Sequence, residues 1–309
     1  MTETPWGSLA LADAHVHFFS HRFFASLAEQ KGVLVDQLAP ILNWQLPAED
    51  PGQLADAWVH ELDKYGVAKT SLIASVPGDA DSVIAAVGRH PDRFYGYMMV
   101  NPTAPASLEQ VTAALASGNM HALCFFPAMH HYSIYDDRVT ALLDLLAARQ
   151  SLAQPGTVAF VHCGVLSVGV RKVLGLASPF DMRYSNPIDL HGVALRFPKL
   201  RFVVPHFGAG YLRETLMLCD LCPNVYLDTS SSNSWMRYEE AHLDLRTVFR
   251  RALDVAGPKR LLFGTDSSYF PRGWNAHVFE TQCKALYEIG VTDEVACRIF
   301  QENLPHLFA

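Results

Sequence analysis

Eight short apolar, β-branched or aromatic runs punctuate the chain: Leu9 to Ala14, Val67 to Ser75, Phe94 to Val100, His121 to Phe126, Thr157 to His162, Arg201 to His206, Asn224 to Thr229 and Arg260 to Thr265. Each has the length of a strand. Between most of them apolar residues recur at three- and four-residue steps, as in Leu108-Val111-Leu115, Val139-Leu142-Leu143-Leu146 and Val248-Leu253, the spacing of one helix face. The strand Arg201-Phe-Val-Val-Pro and the strand Arg260-Leu-Leu-Phe-Gly are continuously apolar, as expected where both faces of a parallel sheet are covered. This alternation predicts an α/β fold, and eight units predict a (β/α)8 TIM barrel, regular or distorted. The stretch from Phe18 to Glu61 exceeds one crossover and carries Trp44, Pro47 and Pro51. It reads as a helical insertion after the first strand, near the barrel mouth, serving as packing or as a lid.

Composition agrees with a single large unit. The 309 residues are 50% hydrophobic and 18% charged, enough to build a substantial core, and no Gly/Ser-rich linker or composition shift divides them. Residues 1–309 are therefore expected to form one barrel domain. A formal charge of −7 without Lys/Arg runs argues against nucleic acid as a partner. The N-terminus has no basic-then-apolar leader, and no apolar run reaches the roughly 18 residues of a membrane span, so a cytoplasmic protein without membrane association is expected. The six cysteines form no tight framework and read as reduced thiols, with Cys219 and Cys222 as buried helical residues rather than a metal or redox pair.

Polar residues gather where the apolar runs end. His15 and His17 end the first, His162 the fifth, His206 the sixth and Asp266 the eighth. Alternate residues of a strand share a face, so His15 and His17 present two imidazoles to one point. A barrel brings the C-terminal ends of its strands around one axis, where catalytic residues of this fold collect. Imidazoles and a carboxylate meeting there suit a divalent metal, zinc above all, and such a site activates water.

The segments Asp13-Ala-His-Val-His17, Val161-His-Cys-Gly164, Pro205-His-Phe-Gly-Ala-Gly210 and Phe263-Gly-Thr-Asp266 resemble the metal motifs of the amidohydrolase superfamily. The resemblance is to its branch of aminocarboxymuconate-semialdehyde decarboxylase-like proteins, and it extends over nearly the whole chain through His90-Pro-Asp-Arg-Phe-Tyr-Gly96, Asn186-Pro-Ile-Asp-Leu190 and Arg196-Phe-Pro198. It implies His15, His17, His162 and Asp266 as metal ligands. It also implies His206 as the residue that orients the activated water or polarises the substrate, with Asp266 as general base. Asp13 would brace the strand or orient a ligand.

Departures from the wider superfamily narrow the expectation. No lysine lies between Lys69 and Lys172 and no glutamate between Glu109 and Glu214, so the bridging group of two-metal members is missing and one metal is expected, with Cys124 as a packed thiol. Val165 stands where purine deaminases of the superfamily carry a glutamate, which disfavours that chemistry. Arg183, Arg272 and Trp274 lie in segments leaving the catalytic face and are candidates for holding a carboxylate or walling a planar substrate. His130-His131 and Ser230 to Trp235 are similarly placed. The resulting expectation is a mononuclear metal-dependent hydrolase of a small ester, lactone or amide. The alternative is a non-oxidative decarboxylase of an unsaturated or aromatic acid. The expected partner is a small-molecule substrate, with a homodimer as the default assembly.

Overall fold

The structure, a computed structural model, describes residues 1–150, 156–239 and 243–309. Eight parallel strands form one sheet in sequential order: β1 (Leu11–Phe18), β2 (Val67–Ala74), β3 (Phe94–Val100), β4 (Ala122–Phe125), β5 (Val158–Val161), β6 (Arg201–Val204), β7 (Val225–Asp228) and β8 (Leu261–Leu262). The sheet closes on itself between its first and last strands. Ala14 N donates to Phe263 O at 2.7 Å, Asp266 N to His15 O at 3.0 Å and His17 N to Ser267 O at 2.7 Å. The chain is thus the (β/α)8 TIM barrel that its strand and helix pattern predicts.

All eight predicted strands are present, with one boundary that matters. The first apolar run ends at Ala14, yet β1 continues to Phe18, because Val16, His17 and Phe18 pair with Leu72, Ile73 and Ala74 of β2. Leu9 instead belongs to a small N-terminal hairpin, Gly7–Leu9 paired with Thr2–Thr4. The two histidines look like strand terminators in sequence because they are polar. They lie inside the strand because both its edges are hydrogen-bonded and its face points into the barrel. Between Asp13 and Val16 the register slips by one residue, a β-bulge at Ala14–His15. Bulges of this kind bend a strand and re-aim a side chain.

Side chains alternate across each strand, and both faces are buried. On β3, Tyr95, Tyr97 and Met99 enter the barrel, where they meet Ala122, Cys124, Val158, Phe160 and Val203. Phe94, Met98 and Val100 face outward into the larger core shared with the helices. Leu304, Leu307 and Phe308 join the interior cluster, with Phe308 stacked on Tyr95 at 4.3 Å. The helical face predicted around Leu108-Val111-Leu115 is the helix Ser107–Ala116, which buries Val111, Ala114 and Leu115 and leaves Leu108 exposed.

The crossover between β1 and β2 is the helix Pro51–Lys64, started by Asp50, whose side chain accepts from Gly52 N. Ahead of it, His21–Lys31 and Leu38–Leu42 are helical. Their apolar faces (Phe23, Phe24, Leu27, Leu38 and Leu42) form a small core of their own with Val170 and Leu174 from the segment after β5. Cys219 and Cys222 are buried free thiols at the end of the helix Leu212–Leu221. No helix among the described residues is long and apolar enough to cross a membrane.

Candidate active site

The C-terminal ends of the strands surround a cavity of about 650 Å³. His15, His17, His162, His206 and Asp266 all line it. The tightest group is His15, His17 and Asp266, which offer donor atoms within 4.8 Å of one another. The Nε2 atoms of His15 and His17 are 3.3 Å apart, and Asp266 Oδ1 lies 3.2 Å from the second and 3.7 Å from the first. His162 and His206 flank this group, with ring centres 5.4 Å apart and that of His206 5.0 Å from that of His15.

The outer nitrogens of the two β1 histidines are both engaged, and this fixes their tautomers. His15 Nδ1 lies 2.6 Å from Asp228 Oδ2, a buried carboxylate that only accepts. His17 Nδ1 lies 2.7 Å from Ser75 Oγ, whose own hydrogen goes to Ile73 O at 2.9 Å. Both rings therefore carry hydrogen on Nδ1 and turn a lone pair on Nε2 toward Asp266. Two imidazole lone pairs and a carboxylate oxygen facing one another have no donor among them. A cation resolves the arrangement, either a proton shared in the cluster or a divalent metal, for which nitrogen and carboxylate oxygen are suitable ligands. Histidine ligands held through their second nitrogen by a carboxylate are a recurrent support of metal sites.

The electrostatics follow from burial and these contacts. Burial opposes charge on His15, but the Asp228 carboxylate beside it prevails and raises its pKa. Burial likewise opposes charge on Asp228, and His15 holds it below the ordinary carboxylate range. Asp266 would be raised by burial, yet the hydrogen bond it makes with His17 once a proton is shared between them, and the charges of the surrounding imidazoles, hold it well below that range. Burial lowers His17, and burial reinforced by neighbouring imidazoles lowers His162 and His206. His162, stacked on Phe126 at 5.3 Å, has a buried Nδ1 with no hydrogen-bond partner among the described residues.

Local backbone geometry shows why the sequence is glycine-rich here. His206, Phe207 and Asp266 adopt positive φ values of 57°, 53° and 58°, a left-handed conformation costly for such residues and typical of functional turns. A Cβ on Gly264 would meet Asp228 Oδ1 at 2.7 Å and His15 Cβ at 3.0 Å, so the glycine before Thr265-Asp266 lets β8 approach the histidine and its carboxylate. A Cβ on Gly164, at φ +81°, would strike Gly208 O at 2.1 Å, where the turns after β5 and β6 cross.

Asp13 is the brace expected of it. Fully buried, it accepts from His15 N, Thr265 N, Thr265 Oγ1 and Trp274 Nε1, which ties β1 to the chain after β8. This bond explains Trp274. Its indole is buried against Asp13 and lies outside the cavity lining, which corrects its reading as a wall for substrate. Arg183 is also corrected, because it is an exposed side chain paired with Asp181 and does not line the cavity. Arg272 does line it. Cys124 is packed inside the barrel, its thiol pushed well up by burial.

Three contributors have no counterpart among the residues singled out in the sequence: Asp228, Ser75 and Arg237, the last of which lines the cavity. Ser230 Oγ lies 3.0 Å from His15 Nδ1 and 2.9 Å from His206 Nδ1 and so links the two rings. Asp228 had a signal in the sequence, being an acidic residue at the end of the apolar run that forms β7.

Comparison with known proteins adds the family. Protein fluG of Emericella nidulans is 26% identical over 172 residues, 56% of this chain but 18% of that much longer protein. A dihydroorotase of Pseudomonas aeruginosa is 24% identical over 294 residues, covering 84% of this chain and 78% of its own. Among solved structures, an uncharacterized TIM-barrel protein of Bordetella bronchiseptica superimposes with TM-score 0.64 at 16% identity, covering 96% of this chain and 97% of its own. A Burkholderia multivorans amidohydrolase with bound zinc gives 0.61 at 15%, covering 97% and 99%. A probable 2-pyrone-4,6-dicarboxylic acid hydrolase of Acinetobacter baumannii with bound citric acid gives 0.59 at 15%, also covering 97% and 99%. These likenesses share the barrel. The amidohydrolase family model matches residues 12–303, nearly the whole chain, and the chain belongs to the amidohydrolase family.

Proposed function

We propose that this amidohydrolase is a mononuclear metal-dependent hydrolase of a small ester, lactone or amide. The observation that carries the proposal is the set of three acceptor atoms, His15 Nε2, His17 Nε2 and Asp266 Oδ1, brought together with both histidine tautomers fixed from behind. His15, His17 and Asp266 would hold the ion. His162, with one ring nitrogen unpartnered among the described residues, is the candidate fourth ligand. Zinc is the metal of choice for this donor set, and the structurally similar Burkholderia multivorans amidohydrolase binds zinc. When bound, a divalent ion supplies a Lewis acid that polarises a carbonyl and lowers the pKa of water.

The chain's own residues account for the remaining steps. Asp266, about a third exposed to the cavity and held ionised, accepts the proton that water loses as it attacks the substrate carbonyl. His206, engaged at Nδ1 by Ser230, has its other nitrogen available to bind the developing oxyanion or the leaving group. Neighbours in the fold that carry hydrolase names support hydrolysis over lyase chemistry.

The test is a screen of the metal-loaded protein against lactones, esters, amides and unsaturated carboxylic acids, following acid release and carbon dioxide together. Hydrolysis predicts acid release without carbon dioxide, abolished in His15→Ala and Asp266→Asn. Carbon dioxide without net hydrolysis would replace the proposal by decarboxylation, and full activity in either variant would overturn the assigned roles.

A further inference from the structure

One face on the outside of the barrel departs from the polar pattern of a solvated helix. In the helix Leu212–Leu221, Leu212, Thr215, Leu218 and Cys219 are buried. The opposite face presents Arg213, Met217, Asp220 and Leu221 to solvent, with Met217 51% and Leu221 57% exposed. This helix packs beside the helical run 187–196, which exposes Ile188 and Leu195, the latter by 55%. Tyr135, also exposed, reaches the same run, because a Cβ on Gly192 would meet its Oη at 3.1 Å. Large apolar side chains thus collect on the outside of two adjacent helices. Single exposed ones are ordinary, whereas a contiguous patch marks an interaction site. The helix on the other side, Leu245–Val255, exposes Arg246, Arg250, Arg251 and Asp254, an ordinary solvated face.

From this arrangement we infer that the outer face of the helix Leu212–Leu221, with its neighbour at 187–196, is a two-fold interface between copies of this chain, in which Arg213 meets the partner's Asp220. The charge pattern along the face selects a second copy as the occupant. Arg213 and Asp220 are two helical turns apart and share one flank, separated by about 10 Å along the axis with Met217 between them. Asp220 has no basic partner among the described residues, and Arg213 contacts Glu214, its neighbour in sequence, in an exposed pair. A two-fold interface must be complementary to itself. When the helix packs antiparallel on its copy about an axis at Met217, positions before and after Met217 on the same flank face one another. Arg213 then stands opposite the partner's Asp220, Asp220 opposite the partner's Arg213, and the apolar side chains cover each other between them. Parallel packing would set like charges together, so the pattern also fixes the orientation. Two short helices make a face smaller than a standard interface, which implies a Kd on the order of micromolar. None of these residues lines the active-site cavity, so the inference is independent of the hydrolase reading.

The experiment is sedimentation velocity of the full chain over about 1–300 µM, a range that brackets such a Kd. Wild type is run beside Met217→Glu, the reversals Arg213→Asp and Asp220→Arg, and the double exchange Arg213→Asp/Asp220→Arg, with thermal melts as the check of folding. Each reversal puts an acid near the start of the helix or a base near its end, which the helix dipole favours, so lost pairing is not lost folding. Wild type should pass from monomer to dimer across the range. Each single reversal sets like charges opposite one another twice and should weaken association by about ten-fold or more, as should Met217→Glu by burying two facing carboxylates. The double exchange recreates the opposite pairs and should return the Kd to within about three-fold of wild type. Wild type that stays monomeric at every concentration would overturn self-association and leave the face to another partner or to solvent. A dimer that Met217→Glu does not weaken would place the interface elsewhere. A dimer indifferent to both reversals, or a double exchange no tighter than the single ones, would overturn the antiparallel charge pairing.

Discussion

Replacing Asp228 with asparagine tests the site through a residue that never touches the ion or the substrate. Asp228 accepts from two donors at once, His15 Nδ1 at 2.6 Å and Ser230 N at 2.7 Å, and is fully buried. An asparagine of the same shape has one accepting oxygen and one amide that can only donate. If the oxygen keeps Ser230, the amide faces His15 and favours the tautomer with a lone pair on Nδ1 and a hydrogen on Nε2. The nitrogen needed as a ligand is then blocked. Loss of a partner supporting a ligand weakens metal binding by about ten- to hundred-fold, which is about 1.4–2.7 kcal/mol. The assay is competition for zinc against a chromophoric chelator near neutral pH, with urea unfolding of the metal-free protein run alongside to separate affinity from stability. Zinc affinity within about two-fold of wild type in Asp228→Asn would refute the argument that the carboxylate fixes the His15 tautomer, because the expected loss is at least ten-fold.

Other perturbations probe different links. Asp13→Ala leaves four buried donors from His15, Thr265 and Trp274 without their acceptor and should cost about 3 kcal/mol or more in urea unfolding. Gly264→Ala, whose methyl would press on Asp228 and His15, should destabilise by about 1–3 kcal/mol and weaken zinc binding; an unchanged melt would show that the close approach is dispensable. Arg183→Ala, at an exposed surface pair, should leave stability within about 0.5 kcal/mol and binding unchanged. His121 lies buried at the opposite end of the barrel and accepts from Gly96 N, and burial, then Lys69 and Arg149, lower its pKa from 6.5 to about 4. The folded state thus binds fewer protons than the unfolded chain between these values, so stability is full above 6.5 and is lost as pH falls through the window. Relative to His121→Asn, wild type should lose about 2 kcal/mol between about pH 7 and about pH 5, measured by unfolding at each pH.

Much of this architecture is legible in the residue pattern, for a physical reason. Parallel strands buried on both faces must be continuously apolar, so β3 and β6 stand out, and the polar residues that follow such strands mark the barrel mouth. The same rule hides His15 and His17 as strand residues, because a functional face inside a barrel breaks the apolar pattern where the strand continues. Asp228 is missed for the same cause, as a carboxylate within β7 rather than after it. Residues defined only by contacts across the fold are harder still. Nothing local in sequence tells that Trp274 turns its indole to Asp13 while Arg272, two positions earlier, turns to the cavity. Nor does it tell that Arg183 is satisfied by Asp181. Glycines 164 and 264 are legible as motif letters, but their reason, two backbones crossing and a strand pressed on a histidine, exists only in three dimensions.

The proposed site for one catalytic metal consists of His15, His17 and Asp266. It is tested most directly by elemental analysis of the protein purified without chelator and after zinc reconstitution and desalting, beside His17→Ala and Asp266→Asn. The prediction is about one equivalent of metal per chain in wild type, lost in both folded variants, as expected when a ligand is removed. Wild-type protein that retains no metal after reconstitution, or variants that retain as much as wild type, would contradict it.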